Sequence, residues 1–435
     1  MNRRVLIVTS SYAPAMTADM HRARQLAWEL PKLGWEVEIL SPDAAYQLRS
    51  CLDMDSAEFF APGTITHFVS PFWPALFRTL GFGSIGWRAI IPMFWAGRKL
   101  LRQRRFDLVF LSTTQFSLFL LGPTWQRRFA VPFVLDFHDP CYKEAAHPMW
   151  ARPSLKHLIS GKLAKYVERR AVLRAAGIVS VSPAYIDVLR RRYADRKPIW
   201  LEPGRTAVIP FAAVPRDLEE AAQRVVPGLD RSHQPASIVY VGAGGPIMYR
   251  SFFLLCRVFA KLRIQKPRLV ERVRIALYGT RLGWREGGPR DLADIASEYG
   301  VGDLVMENPN RVSYRRSLEL LLGSDGALIL GVDDPSYTPS KLFSYALSGK
   351  PLLASLHKNG PALAQFQNNT ELGHALWFCQ SNEIAMAEAT SIVSAFLEEV
   401  ISGRSFDRQA LLEPFLTPTM ARQHAKLFEA CLNSG

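Results

Sequence analysis

The strongest constraint on what this 435-residue chain can fold into is a rhythm that runs, stops once and restarts. Short apolar runs rich in β-branched residues alternate with stretches of helical spacing. VLIVTS (5–10) ends in small polar residues, as a buried parallel strand entering a loop does. From Met20 onward Leu26, Leu30 and Leu33 recur at helical spacing, and WEVEILSPD supplies a second strand, so the chain opens with a βαβ unit. FDLVFLST (106–113), VPFVLDF (131–137), AGIVSVSP (176–183) and TAVIPF (206–211) continue the series. Residues 214–236 are rich in charge, proline and small side chains without a strand pattern, which predicts a linker. Beyond it SIVYV, VRIALY, DLVMENP, GALILG and KPLLAS restart the alternation, with helical segments at 290–299, 313–323 and 340–348. The expected fold class is α/β, two doubly wound Rossmann-like domains over 1–213 and 237–410 facing a central cleft, where loops at the strands' C-terminal ends gather.

Composition narrows the setting. With 48% hydrophobic and 21% charged residues the chain is an ordinary globule. Cys51, Cys141, Cys256, Cys379 and Cys431 are scattered without ligand or CxxC spacing, which fits a reducing compartment. The apolar run near the N-terminus, Val5 to Val8, is far below a signal-peptide core, and no stretch approaches the roughly 18 apolar residues of a membrane span. The net charge of +14 is localised: residues 72–105 hold seven Lys or Arg and no acid, and residues 150–200 hold twelve against three. Such charge draws the first domain toward an anionic surface. No nucleic-acid recognition motif accompanies it, so nucleic acid is not an expected partner.

Two segments carry more specific chemistry. VGAGG (241–245) follows a strand and precedes a helix, so Gly242, Gly244 and Gly245 are candidates to bring backbone amides to a phosphate; a glycine turn serving only strand-to-helix packing is the alternative. YTPSKLFSYALSGKPLLA (337–354), with Pro339, Ser340, Lys341, Leu342, Tyr345, Gly349, Lys350 and Pro351, resembles the nucleotide-sugar signature of the retaining GT-B glycosyltransferases of family 4, also called group 1. SYAP with Arg22, DLVFLST, DFHDP, IVSVSP and VIPF are similar to that family's first domain in order and spacing. YVGAGG, ALYGT, NRVSYRRSLELL and GALILG are similar to its second.

The resemblance implies a GT-B fold in which residues 237–410 hold the nucleotide-sugar and a C-terminal helix, 411–435, crosses back to the first domain. It implies donor contacts from Gly242, Gly244, Gly245, Arg281, Val312, Tyr314, Ser340, Lys341, Leu342 and Ser344. Lys341 is a movable cation suited to a diphosphate, and the apolar surfaces of Val312 and Tyr314 suit a base. His138, at the end of the DFHDP strand, is expected to point its imidazole into the cleft beside the transferred sugar, with Asp139 orienting it, binding acceptor hydroxyls or simply building the turn. No cofactor or metal is expected; Asp53-Met54-Asp55 mimics a metal-binding DxD but follows no apolar strand.

One departure stands out. Two glutamates usual in the family are Ser336 and Ser344 here, leaving Asp333 or Asp334 as substitutes for the first. The expected function is a retaining, metal-independent transfer to a lipid-linked or surface-polysaccharide acceptor, by a cytoplasmic protein peripheral on the inner face of the plasma membrane. A GT-B-fold epimerase and a degenerate binder of nucleotide-sugar or a partner are the alternatives. In the aromatic, basic segment 72–105, Trp87, Ile90, Ile91 and Phe94 are placed on one helical face with Arg98, Lys99, Arg102, Arg104 and Arg105 behind, as for a helix in a membrane interface; an acceptor-site helix packed in the domain is the other reading.

Overall fold

A computed structural model of the chain describes residues 3–47, 51–74, 83–142, 155–225, 234–281 and 291–433. The chain divides into two compact units, Met1–Pro210 with Thr417–Gly435, and Phe211–Leu416.

The first unit is built on a wholly parallel seven-stranded sheet in the order β3-β2-β1-β4-β5-β6-β7. Its strands are β1 (Arg3–Val8), β2 (Trp35–Pro42), β3 (Ile65–Val69), β4 (Leu108–Ser112), β5 (Phe133–Phe137), β6 (Gly177–Ser180) and β7 (Thr206–Val208). β4, β5 and β6 are buried at every position, as strands covered by helices on both faces must be. The helices are α1 (Ala18–Glu29), α2 (Ile85–Gln103), α3 (Leu121–Phe129), α4 (Leu155–Val172) and α5 (Pro183–Tyr193). Met93 and Leu100 of α2, Trp125 of α3, Val167 and Ala171 of α4 and Leu189 of α5 share one core against one face of the sheet.

The second unit repeats the plan with six parallel strands in the order β10-β9-β8-β11-β12-β13. They are β8 (Ala236–Val241), β9 (Val273–Tyr278), β10 (Val305–Asn308), β11 (Gly326–Leu330), β12 (Leu352–His357) and β13 (His374–Phe378). Its helices include α6 (Pro215–Ala222), α7 (Tyr249–Gln265), α8 (Leu292–Glu298), α9 (Tyr314–Leu322), α10 (Leu342–Leu347), α11 (Pro361–Asn368) and α12 (Met386–Ile401). Residues 214–236, expected as a linker, therefore contain a helix: Pro215 supplies a pre-set first turn, and Leu218 and Ala221 are buried on its inner side.

The chain's last helix, α13 (Thr417–Leu432), belongs to the first unit. Phe428 meets Trp35 of β2 with ring centroids 5.5 Å apart and Phe110 of β4 at 5.1 Å, and α13 also packs on β6 and β7, beside α1. The return of this helix agrees with the expectation from the resemblance.

Candidate functional site

In an open parallel sheet the strand order reverses at one point, and the loops leaving the two strands there diverge and open a crevice. In the second unit that point lies between β8 and β11. Lys341 sits there: it precedes α10, and although much of its side chain is exposed its ammonium turns in to donate to the carbonyl of Val241, the last residue of β8. The Tyr345 hydroxyl bonds both backbone groups of the same residue, donating to Val241 O at 3.2 Å and accepting from Val241 N at 3.1 Å. Burial of the amine and the neighbouring Arg311 charge lower the Lys341 pKa to about 8.

The glycine loop is built differently from a bare amide cradle. Gly242 N donates to Tyr278 O at 2.9 Å and Gly244 N to Thr280 O at 2.8 Å, so these two amides tie the loop to the end of β9. A Cβ on Gly244 would stand 2.8 Å from Thr280 O, and one on Gly242 would stand 3.1 Å from Lys341 Nζ. The packing alternative thus describes these two glycines, while Gly245, at φ +87°, turns the chain toward α7, which begins only at Tyr249. The loops after β8, β9 and β10 converge: the Gly279 Cβ position lies within 3.9 Å of Gly242 O, Asn310 O and Arg311 Cα. Arg281 is exposed on the second of these loops, anchored by its amide to Pro309 O at 3.2 Å.

Lys341, Arg311 and Arg281 therefore make this end of the sheet cationic. Arg311 escaped the sequence reading, although it stands one residue before Val312 in the quoted NRVSY run. Val312 is half-buried, Ser340 exposed, Leu342 fully buried and Ser344 half-buried. Tyr314 opens α9 and donates its hydroxyl to Asp217 Oδ2 of α6 at 2.7 Å, so its polar end is committed to the packing of the second unit.

The carboxylates considered as substitutes for the missing glutamate are both engaged. Asp334 Oδ1 accepts from Ser336 N at 2.9 Å and from Ser336 Oγ at 2.6 Å. Asp333 Oδ2 pairs with Arg250 Nε at 3.0 Å, with His357 Nε2 3.8 Å from its other oxygen.

In the first unit His138 follows β5, as expected, but its imidazole does not project outward. The side chain is 1% exposed, with Nε2 turned back to Asp136 Oδ2 at 2.7 Å and to Ser112 Oγ at 3.2 Å. A fully buried carboxylate on the preceding strand offers the ring more than open solvent can, which is why the outward expectation fails. Arg22 Nε stands 3.3 Å from the same oxygen of Asp136, and Ser112 Oγ donates to it at 2.8 Å. Burial alone would raise the Asp136 pKa, but the charges of His138 and Arg22 outweigh it and hold the carboxyl well below its ordinary range. His424 of α13 lies behind this cluster; burial first, and then Arg22, lower its pKa to about 3, so it is neutral. Asp139 is exposed beside the ring. Asp136 carried a signal in the sequence, as an acid inside an otherwise apolar strand, VLDF.

Asp53 accepts from Ser56 Oγ at 2.8 Å and so shapes its own short turn. Among the described residues no group of three or more His, Cys, Asp or Glu is arranged to hold a metal.

Two parallel sheets of this order, each with a polar loop end, define a protein of the GT-B class. Residues 21–210 match the glycosyl transferase 4-like domain family. Comparison with curated proteins by sequence finds no match. Among solved structures, Anabaena Alr3699/HepE in complex with UDP and glucose is similar over 98% of this chain and all of its own, at 15% identity and a TM-score of 0.59. WaaG, a glycosyltransferase involved in lipopolysaccharide biosynthesis, is similar at 12% identity over 99% and 95%, with a TM-score of 0.53. A UDP-forming α,α-trehalose-phosphate synthase from Burkholderia vietnamiensis is similar at 10% identity over 98% and 100%, with a TM-score of 0.58. At these identities the likeness shows the fold alone.

Proposed function

We propose that this protein is a retaining, metal-independent glycosyltransferase that moves a sugar from a nucleotide-sugar to a lipid-linked or surface-polysaccharide acceptor at a membrane face. The observation that carries the reading is Lys341 at the point where the second sheet reverses strand order, with Arg311 beside it. As the bond from sugar to diphosphate breaks, negative charge grows on the leaving group, and these cations with Arg281 stabilise it. Complexes of the Anabaena protein with UDP and UDP-glucose make uridine nucleotide-sugars the first donors to test. Product assays over a panel of nucleotide-sugars, with and without lipid acceptor, test the reading; epimerised donor without acceptor would overturn it. A binder without turnover is the second reading, favoured by the engagement of Asp333 and Asp334 where the family's first glutamate is absent, and donor binding without transfer or hydrolysis would support it.

His138 is proposed to lie against the transferred sugar by an edge of its ring, with Asp139 contacting the acceptor. His138→Ala is expected to cut turnover about 10²-fold through lost positioning while donor affinity stays within a few-fold, measured as kcat against KM. Full turnover in that variant would remove His138 from the site.

The membrane face is proposed on the first unit. Trp87, Ile90 and Phe94 pack onto the core, so the exposed stripe of α2 is instead Ile91, Trp95, Lys99 and Arg102. Trp95 is 56% exposed, with the Arg98 guanidinium 5.0 Å from its ring centroid, and Trp73 is 73% exposed. α4 presents a comparable stripe in Leu158, Ile159, Lys162, Lys165 and Tyr166. Aromatic and aliphatic groups among cations suit the headgroup level of an anionic bilayer, and no described helix is long and apolar enough to cross one. Replacing Trp95 by alanine together with Lys99 and Arg102 by glutamine should reduce flotation with anionic vesicles at least ~30-fold, since each cation contributes about 1 kcal/mol near such a surface. Unchanged flotation would return α2 to the acceptor-site reading.

A further inference from the structure

We infer that Arg22 and Asp136 are positioning residues that set the proton and orientation of the His138 ring. The inference rests on the transferase reading only in taking His138 as the group that is positioned. Two hydrogen-bond donors and one cation, from three elements, converge on one oxygen, Asp136 Oδ2: His138 Nε2 at 2.7 Å, Ser112 Oγ at 2.8 Å and the Arg22 guanidinium, ion-paired through Nε at 3.3 Å. Asp136 and Arg22 are both fully buried. An ionised carboxylate can only accept, so the ring nitrogen facing it must carry the proton.

Arg22 is itself held. Its Nη2 donates to Ile209 O at 2.6 Å and its Nη1 to Pro210 O at 3.2 Å, so the guanidinium is fixed between the segment after β7 and the carboxylate at the end of β5. A buried ion pair is a poor route to stability, because desolvating both charges offsets most of their attraction. What it secures is direction: with Oδ2 fixed from two other sides, the imidazole has one place in which Nε2 meets its partner. His424 closes the back of the cluster. Its Nδ1 donates to Met420 O at 2.8 Å and its ring packs on Phe110 at 5.5 Å, so it leaves the Asp136 oxygen to the other three groups.

The test reads the ring directly. In the full chain with ¹⁵N-labelled histidine, long-range nitrogen–proton spectra at neutral pH should show His138 protonated at Nε2. Asp136→Asn, whose amide can either donate or accept, should replace the single tautomer by a mixture and lower kcat by about 10–100-fold, with donor KM within about two-fold. Ser112→Ala leaves the ion pair intact and should give the same split of kcat from KM at smaller size, which covers the case in which Asp136→Asn does not fold. A neutral wild-type ring protonated at Nδ1, or Asp136→Asn with unchanged kcat, overturns the inference. A fixed Nε2–H in a wild-type protein that transfers sugar from no donor would overturn the transferase reading and leave the network standing.

Discussion

Lys341→Ala should weaken nucleotide-sugar binding by about 10–100-fold, the value of one charge-assisted contact to a diphosphate. The chain's own geometry sets this expectation. The ammonium donates to Val241 O at the end of β8, where a Cβ on Gly242 would stand 3.1 Å from it. A diphosphate arriving at the strand-order reversal offers stronger acceptors than one carbonyl, so the same amine can swing to it with little displacement. The Lys341 pKa near 8 adds a pH dependence of fixed sign. Below about pH 8 the amine is charged and attracts the donor; above it the amine is neutral, and affinity falls as pH rises through that value. In the alanine variant this step in the binding profile should vanish. Isothermal titration of a uridine nucleotide-sugar between pH 6.5 and 9.5 measures both effects, the pH range being chosen to span about one and a half units either side of the titration. An alanine variant with wild-type affinity would remove Lys341 from the donor site.

What the chain revealed before folding divides along a physical line. Strands buried on both faces, such as LVFLS and GALIL, are legible because nearly every position must be apolar. The edge strands β3 and β13 are not: Ile65 and Phe68 are exposed while Thr66 and His67 interrupt the run, and His374 breaks HALWF. α6 was hidden because PRDLEEAA looks like loop until Pro215 is taken as a first-turn residue.

The exposed face of α2 was misplaced for a related reason. Gly86, Ala89, Met93, Gly97 and Leu100 form its inner side, and small residues that allow close packing add little to a hydrophobic pattern, so the aromatic residues beside them seemed to define the face. At the candidate sites Lys341 and His138 were legible as residue types in motifs. The partners that orient them were not, because Val241 and Lys341 are 100 positions apart and Arg22 meets Asp136 across most of the first unit.

Removing one half of the buried pair is expected to be the most destabilising single change in the first unit. Arg22→Met retains length and fills the space, yet it leaves Asp136 ionised, fully buried and short of one charge partner, a loss of about 3–5 kcal/mol. The double variant Arg22→Met/Asp136→Leu removes both charges and should recover most of that stability, because the desolvation cost disappears with the attraction. It should not recover turnover, since His138 Nε2 then has no carboxylate to face. Because the Asp136 pKa is depressed in the folded chain, the pair's contribution is fully present above the unfolded carboxyl's pKa of about 4, and is lost as pH falls below it. Acid titration of the denaturation midpoint should therefore show a wild-type decline below about pH 4 that is shallower in the double variant. A double variant no more stable than Arg22→Met would mean that the attraction within the pair outweighs its desolvation cost, and equal slopes would mean that Asp136 titrates alike in the folded and unfolded chain.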